Sequence, residues 1–121
     1  MDWKFHNDTP SYTQLVEQIK IAIVTGEFTA GERLPSVRDM AAEAGVNPNT
    51  LQRAFAELER QGLVYSQRTA GRMVTEDAAI IREARQQLAR RHIIAFRAAM
   101  GALGFEKDEI IDLLRQEEGD I

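Results

Sequence analysis

The segment VNPNTLQRAF, residues 46–55, constrains the fold more than any other stretch because it defines both the start and the buried face of one helix. Asn47 is a good N-cap residue, and Pro48 suits the first helical position. This pattern predicts a helix that packs one apolar face inward and carries short polar side chains in its first turn. The apolar residues of that face repeat at helical spacing: they are Leu51, Ala54, Phe55 and Leu58.

A shorter helix is predicted just before this one. Ser36 serves as its N-cap, and Asp39 stands three residues later, as the acidic partner of a capping box does. Met40 and Ala41 are its apolar positions, and the Ala-Gly pair at 44–45 ends it, because glycine favours the end of a helix. The turn between the two helices is therefore tight.

The chain before this pair predicts one more helix and a turn-rich connection. Thr9 is a suitable N-cap, and Pro10 suits the first helical position. Residues 27–35 form the connection, in which Phe28 and Leu34 are expected to point inward. The apolar positions of this first helix are Tyr12, Leu15, Val16, Ile19 and Ile23.

A β-hairpin is predicted after the helix pair. Its strands cover residues 63–66 and 72–75, and the tip between them, residues 67–71, is basic and contains a glycine. Residues 1–75 thus consist of three predicted helices followed by a hairpin. Helix, tight turn, helix and basic hairpin is the order of a winged helix-turn-helix.

Residues 76–121 form a helical tail whose apolar residues need a partner. Residues 76–100 contain no glycine or proline and predict a helix about 37 Å long at ~1.5 Å per residue, followed by a shorter helix. One short helix cannot cover both faces of such a rod, whereas two copies about a two-fold axis can, so we expect a homodimer. The predicted dimer-interface residues are Ile81, Ala84, Leu88, Ala95, Phe96, Met100, Phe105, Ile110 and Leu114.

The charge of the chain argues at first against a nucleic-acid partner. The formal net charge is −4, and residues 76–121 hold ten acidic and seven basic side chains. Residues 47–72, by contrast, hold four arginines against two glutamates. Because the local field rather than the net charge steers an anionic partner, a basic face around the third helix and the hairpin is compatible with DNA.

The run GERLPSVRDMAAEAGVNPNTLQRAFAELERQGLVYSQRTAGRMV resembles the DNA-binding domain of GntR-family bacterial transcription regulators, and the resemblance covers residues 9–75. The pieces VNPNTLQRAF and LERQGL, with the short tail, are similar to the YtrA-type subfamily. That subfamily has no large effector domain, and its two C-terminal helices form the dimer interface. The resemblance implies a mainly α protein, with a winged helix-turn-helix DNA-binding domain at 1–75 and a helical dimerisation tail at 76–121.

The resemblance also implies which residues contact DNA. Arg38 matches the arginine of the family's LPSxR motif, and Gly71 matches the wing-tip glycine near the minor groove. Asparagine and glutamine can bond adenine in bidentate fashion, and arginine can bond guanine. Family wings often read G-K/R-G-T-F-V, whereas residues 70–74 read AGRMV and lack the second glycine and the Thr-Phe pair. The predicted DNA-binding residues are Ser36, Arg38, Asn47, Pro48, Asn49, Thr50, Gln52, Arg53, Arg68, Gly71 and Arg72.

We therefore predict a sequence-specific DNA-binding transcription regulator, a repressor by family resemblance. It would bind an inverted-repeat operator in double-stranded DNA as a homodimer, with helix 47–61 in the major groove and hairpin 63–75 as the wing. Two other interpretations remain open. One is a winged-helix module for protein–protein interaction without DNA binding, which the net acidity favours. The other is a truncated regulator of the aminotransferase-fused kind, which the length of 121 residues argues against unless the chain is a fragment.

Surface ion pairs are a simpler role for two of the predicted DNA-binding arginines. Arg38 can pair with Asp39 or Glu43. Arg53 can pair with Glu57, which stands four residues further along the same helix. Such pairs are common and weak, so they compete with DNA contact as explanations for these residues.

Other classes of function are not indicated. The chain has no cysteine, and His6 and His92 lie in different segments, so neither a thiolate site nor a metal site is expected. No catalytic triad and no glycine-rich phosphate loop stand out, so we expect no enzyme activity and no cofactor, and no small-molecule effector is identified. The start MDWKFHNDTP is not a signal peptide, and no stretch reaches the ~18 apolar residues of a membrane span, so we expect a cytoplasmic protein.

Overall fold

The structure is a computed structural model, and it describes residues 1–5 and 11–117. Residues 11–117 form five helices and one two-stranded antiparallel sheet, which confirms the predicted mainly α winged helix-turn-helix with two C-terminal helices. The predicted helix start at Thr9 and Pro10 lies outside the described residues. The elements are α1 (Ser11–Val24), α2 (Val37–Ala44), α3 (Pro48–Arg60), β1 (Val64–Gln67), β2 (Gly71–Val74), α4 (Ala78–Ala102) and α5 (Lys107–Gln116).

The tight turn between α2 and α3 is built from the caps that the sequence predicts. Ser36 Oγ accepts a hydrogen bond from the Asp39 N–H at 3.0 Å and starts α2. Gly45 ends α2 in the left-handed region, with φ at 70°, which glycine adopts without a steric cost. Asn47 Oδ1 then accepts from the Asn49 N–H at 2.7 Å and starts α3. The predicted boundaries of both helices are therefore confirmed on this side.

Removing the cap of α3 should destabilise the protein measurably. We expect Asn47→Ala to lower the free energy of unfolding by about 1 kcal/mol, because the Asn49 N–H loses its acceptor at the helix start. Asn49→Ala is the matched control, since the Asn49 side chain makes no hydrogen bond within residues 1–5 and 11–117. Urea unfolding followed by circular dichroism measures both variants. An unfolding midpoint equal to that of the wild type for Asn47→Ala would contradict the capping role.

The hydrophobic core surrounds the apolar face of α3. Leu51, Phe55 and Leu58 have no exposed surface, and α1 and α2 pack against them. Burying a side chain of this size stabilises the fold by about 1.5–3 kcal/mol. The polar face of α3 is thus held outward by the packing of the opposite face. The other large side chains that are fully buried are Leu15, Ile19, Met40, Leu63, Val64 and Val74.

The sheet of the wing contains one more segment than the sequence predicts. β1 and β2 pair antiparallel, from Val64 opposite Val74 to Gln67 opposite Gly71, one residue away from the predicted strand bounds. Arg33, in the connection between α1 and α2, forms an antiparallel bridge to Met73 on the free edge of β2. The connection was predicted to be turn-rich, and its pairing has no local signal because its partner is forty residues away in the sequence.

The chain divides into two compact units, and the division falls inside α4. The first unit covers residues 1–85, and the second begins at Gln86. Ile81 and Ala84, near the start of α4, pack against the core of the first unit. In the second unit, the Glu106 N–H donates to Glu109 Oε1 at 3.0 Å at the start of α5, and Ile110 is buried.

Candidate nucleic-acid interface

The first turn of α3 presents side chains rather than backbone groups to the solvent. The Asn49 N–H is bound by Asn47 Oδ1, and the N–H groups of Thr50 and Leu51 reach the Asn47 carbonyl oxygen at 3.0 and 3.2 Å. Pro48 has no N–H to offer. The side chains of this turn are therefore the groups that can hydrogen-bond to another molecule. Thr50 is half-buried, and the exposed residues are Asn47, Pro48, Asn49, Gln52 and Arg53.

The Arg53 guanidinium packs on the Tyr12 ring and does not pair with Glu57. Its guanidinium carbon lies 3.8 Å from the centre of the Tyr12 ring, the distance of a cation–π contact. The alternative ion pair with Glu57 does not form, because Glu57 is bound by Arg60 instead. The stack fixes the position of the Arg53 charge beside α1 while the side chain stays exposed.

The Glu57 carboxylate is hydrogen-bonded by two side chains at the C-terminal end of α3. Arg60 Nε donates to Glu57 Oε2 at 2.7 Å, and Gln61 Nε2 donates to Glu57 Oε1 at 3.0 Å. These hydrogen bonds, with that of Arg60 the larger, lower the pKa of Glu57 from 4.5 to about 2. Glu57 is thus paired, and it does not oppose an anion at the first turn as an unpaired carboxylate would.

The Glu57 carboxylate should show this pairing when it is titrated. A pKa that folding lowers adds stability above the unfolded pKa, and this stability is lost as pH falls, here between about 4.5 and about 2. We expect Arg60→Ala to return the pKa of Glu57 toward 4.5, as followed by NMR of the side-chain carboxyl carbon. Arg90→Ala, at an exposed position of α4, should leave it unchanged. Identical Glu57 titrations in the wild type and Arg60→Ala would show that the ion pair is absent in solution.

Arg38 stands exposed on α2, behind the Ser36 cap. The alternative pairing with Glu43 is not found, because Glu43 Oε1 accepts from the N-terminal ammonium at 3.0 Å and from the Trp3 indole at 3.3 Å. The ammonium lowers the pKa of Glu43, and Glu43 raises that of the ammonium. Within residues 1–5 and 11–117, no ion pair involves Arg38. Its guanidinium therefore remains available to a phosphate or a base.

The wing separates its two predicted arginines. Arg68 lies at the exposed tip between the strands. The Arg72 side chain lies on the face of β2 that contacts α3. Its Nε donates to Glu59 Oε1 at 3.0 Å, and its guanidinium carbon is 5.0 Å from the centre of the Phe55 ring. Its side chain is 23% exposed. The Arg72 side chain thus already has partners within the chain.

One basic residue of this surface was missed by the sequence analysis. Arg33 is exposed and pairs across from Met73, and its Nε lies 4.0 Å from the position that a Cβ on Gly71 would take. Gly71 itself has a φ of 82°, a conformation that favours glycine at the start of β2. No local pattern of the sequence marks this residue, because the bridge that places Arg33 beside the wing joins positions far apart in the chain.

The predicted dimer-interface residues fall into two groups. Ala84 and Ile81 pack on the core of the first unit, and Leu88 and Ile110 are buried within the single chain, so a second copy is not needed to cover them. The dimer interface stays a prediction for these four residues, each of which already packs within the single chain. The others keep exposed surface: Ala95, Phe96 and Leu114 are exposed, while Met100 and Phe105 are half-buried.

The second unit leaves further apolar side chains exposed that the sequence analysis did not include. Ile93 is 55% exposed, Ile94 62% and Leu103 72%. Ile94 lines a groove of about 390 Å³ together with Ile110 of α5. At ~100° per residue, Ile93, Phe96 and Met100 share a side of α4 that does not line this groove. Leu103 follows directly after the helix ends, and we call these four residues the open stripe. Apolar side chains of α4 thus lie on two sides of the helix, and one of these sides lines the groove beside α5. The other residues lining the groove are Arg97, Ala98, Gly101, Phe105 and Lys107.

The described residues do not assemble a metal site. In residues 1–5 and 11–117, no group of three His, Asp or Glu side chains is placed to hold a metal ion. His92 is exposed on α4, and His6 lies outside the described residues. Among the helices of that same part of the chain, none is long and apolar enough to cross a membrane.

Comparison of the sequence with known proteins identifies relatives that share this arrangement. The sequence profile of the family described as "Bacterial regulatory proteins, gntR family" matches residues 11–74, from α1 to the end of β2. The HTH-type transcriptional regulator YhcF of Bacillus subtilis is 39% identical over 112 residues, covering 93% of each chain. The HTH-type transcriptional repressor YtrA of Bacillus subtilis is 39% identical over 72 residues, covering 60% of this chain and 55% of YtrA. The similarity to YhcF therefore extends into the C-terminal helices.

Two solved structures show the same fold. A GntR family transcriptional regulator from Listeria monocytogenes superposes with a TM-score of 0.87 at 38% identity, over 94% of this chain and 100% of that chain. The DNA-binding domain of AraR in complex with operator ORE1 superposes with a TM-score of 0.53 at 26% identity, over 62% of this chain and 94% of that chain. The winged fold is thus one that a relative uses while bound to an operator.

Proposed function

The chain belongs to the GntR family and is a DNA-binding transcription regulator rather than an enzyme, and from this premise we propose that it is a homodimeric repressor that binds an inverted-repeat operator. Its place of action would be the bacterial cytoplasm, where its DNA lies. We propose residues 1–75 as the DNA-binding domain and residues 76–121 as the dimerisation tail, with the first turns of α4 packed on the former.

The observation that carries the proposal is the exposed polar turn at the start of α3. Because the opposite face of α3 is locked in the core, Asn49, Gln52 and Arg53 are presented together on one rigid surface. Asparagine and glutamine suit adenine edges, and arginine suits guanine or phosphate, so this turn has the chemistry of a recognition helix in the major groove. The alternative of a protein-interaction module is not favoured, since neither an apolar patch nor unpaired acids mark this turn.

The open stripe on α4 supports the homodimer. Ile93, Phe96 and Leu103 expose between 40% and 72% of their surface in the single chain. Such a concentration of exposed apolar residues is typical of an interaction surface. The spacing of three and four residues between Ile93, Phe96 and Met100 suits a helix that packs against its own copy about a two-fold axis. A symmetric dimer presents two recognition helices, which is why the operator should be an inverted repeat.

The repressor assignment rests on the relatives rather than on a contact in this chain. YtrA of Bacillus subtilis, 39% identical over its matched part, is a repressor by name. A bound dimer that covers promoter DNA would block transcription by excluding the polymerase. An activator would require a surface for the polymerase, which nothing in the described residues marks.

A gel shift with the DNA upstream of the chain's own gene tests the proposal. We expect a discrete complex that competitor operator removes and random duplex does not. Affinity should fall steeply with salt, by about 10³- to 10⁵-fold between about 50 and 200 mM if six to ten phosphates are contacted. Equal affinity for upstream and random duplexes at every salt concentration would contradict sequence-specific regulation. Transcription from that promoter in vitro, with and without the protein, then tests repression against activation.

A further inference from the structure

We propose that Arg33 is a phosphate-binding residue of the wing, acting beside Arg68, and that Arg72 is an internal brace of the wing rather than a DNA contact. The inference rests on the proposed DNA-binding function and deepens it, because it names the basic side chains through which the wing meets the nucleic acid. It also changes the extent of the wing, which then includes the connection between α1 and α2.

The segment around Arg33 pairs with β2 as a third strand of the wing would, but over a shorter length. The Leu34 N–H donates to the Arg72 carbonyl oxygen at 2.9 Å, and the Val74 N–H donates to the Glu32 carbonyl oxygen at 2.8 Å. These two bonds flank the pair Arg33 and Met73, as in a regular antiparallel ladder. Residues directly opposite each other in such a ladder project from the same face of the sheet.

The two faces of this small sheet have opposite character. On the inner face, Leu34, Val64 and Val74 are at most 3% exposed and belong to the core. Because successive residues of a strand point to opposite faces, Arg33 and Met73 lie on the outer face, together with Tyr65, which pairs with Met73 from β1. Arg33 therefore points away from the core, by the same pairing that buries Leu34.

The side chain of Arg33 extends along the outer face toward the tip. Its Nε lies 4.0 Å from the place of a Cβ on Gly71, and Gly71 directly follows the tip that carries Arg68. In the part of the chain that the structure describes, neither Arg33 nor Arg68 has an ion pair. Two uncompensated guanidinium groups thus flank the wing tip, and phosphate oxygens are the partners that such groups bind most readily.

Arg72 lies on the other face and is compensated. Its Nε donates to Glu59 Oε1 at 3.0 Å, and Ser66 Oγ donates to the same oxygen at 2.7 Å. The guanidinium also lies over the Phe55 ring, in contact with the core of the helix-turn-helix. To reach a phosphate, Arg72 would have to leave Glu59 without its cation close to the DNA, which is unfavourable. The pair instead ties β2 to α3.

Binding measurements on matched variants test the assignment. The probes are a duplex that the wild-type protein selects from a random-sequence pool and a random duplex of equal length, titrated by fluorescence anisotropy at several salt concentrations. Arg33→Ala should weaken binding to both duplexes by about tenfold or more. It should also reduce the slope of log affinity against log salt by about 1.8, because each protomer of the dimer loses one phosphate contact.

Three controls separate the possible outcomes. Arg60→Ala removes the same charge from an ion pair at the C-terminal end of α3 and should leave the salt slope unchanged. The double variant Arg72→Met, Glu59→Gln removes the brace without changing the net charge, so it should lower the thermal midpoint and leave the slope unchanged. Arg38→Ala should weaken binding to the selected duplex, which shows that the assay detects a DNA contact.

Two results would overturn the inference. If Arg33→Ala keeps wild-type affinity and slope while Arg38→Ala loses affinity, the wing contact of Arg33 is refuted and DNA binding through the helix-turn-helix stands. If the double variant lowers the slope as much as Arg33→Ala does, the division of roles between Arg33 and Arg72 is refuted. If the wild-type protein itself selects no duplex, the proposed function fails, and the inference fails with it.

Discussion

Phe96→Glu is expected to convert the protein from a dimer into a monomer and to weaken its binding to an inverted-repeat operator by about 10²- to 10⁴-fold. Phe96 lies within the open stripe of α4, between Ile93 and Met100, and is 40% exposed in the single chain. In the proposed dimer, a carboxylate at this position would be buried against its own copy without a cation. Burying an unpaired charge costs more than the packing of the stripe returns. A monomer then binds one half-site at a time and loses the affinity that a dimer gains by binding both half-sites together.

Light scattering at micromolar concentration measures the mass, and anisotropy on the operator measures the affinity. Ala102→Glu is the matched control, because it adds the same charge to the same helix at an exposed position away from the open stripe. We expect this control to remain dimeric. Circular dichroism should show native helix content in both variants. A Phe96→Glu protein with dimer mass and unchanged affinity would place the interface elsewhere, and a monomeric wild type would refute the dimer itself.

Gln52→Ala is expected to remove discrimination between operator and random DNA rather than binding as such. If Gln52 bonds an adenine edge, its loss costs about 1–3 kcal/mol at each half-site, or roughly 5- to 150-fold per half-site. The affinity for a random duplex should stay close to that of the wild type, because phosphate contacts supply it. The stability should not change, since Gln52 is exposed and lies on the face of α3 away from the core.

Anisotropy with both duplexes measures this ratio directly. Gln86→Ala, at an exposed position of α4, is the control for the same change of side chain outside the DNA-binding surface, and it should bind both duplexes as the wild type does. An equal loss on operator and random duplex for Gln52→Ala would refute the base-reading role and indicate a phosphate contact instead.

The helix-turn-helix was predictable because its signals are local. Ser36 and Asn47 cap their helices by bonds to residues two or three positions away, and Gly45 ends α2 through its own backbone conformation. The buried stripe of α3 follows from the period of one helix. None of these features depends on a distant part of the chain, so the predicted bounds agree with the structure to within about one residue.

The wing was predicted less well because strand pairing is not local. The bounds of β1 and β2 lie one residue away from those of the predicted strands, and the bridge from Arg33 to Met73 joins positions that no short-range pattern connects. The roles of the basic residues follow from that pairing, since it decides which face each side chain takes. A short-range pattern therefore selects Arg68 and Arg72 of the hairpin, whereas the position of Arg33 beside them follows only from the pairing.

The C-terminal helices show a different limit of prediction from the sequence. The helical period of α4 groups residues onto one side of the helix, but it does not say what covers that side. The sequence analysis grouped Ile81 and Ala84 with Phe96, yet Ile81 and Ala84 pack on the core of the first unit, while Ile93 and Leu103 remain exposed. The prediction of a dimer therefore stands on fewer and different residues than the sequence indicated.

The two asparagines at the start of α3 differ in a way that bears on how such regulators diverge. Asn47 holds the helix start by its Oδ1, whereas the side chains of Asn49 and Gln52 make no hydrogen bond within the described chain. Positions 49 and 52 can therefore accept other polar residues without loss of the fold. A gene duplication could acquire a new operator through these two positions while the core, the caps and the tail stay unchanged. A library randomised there should consist mostly of folded proteins with altered DNA preference.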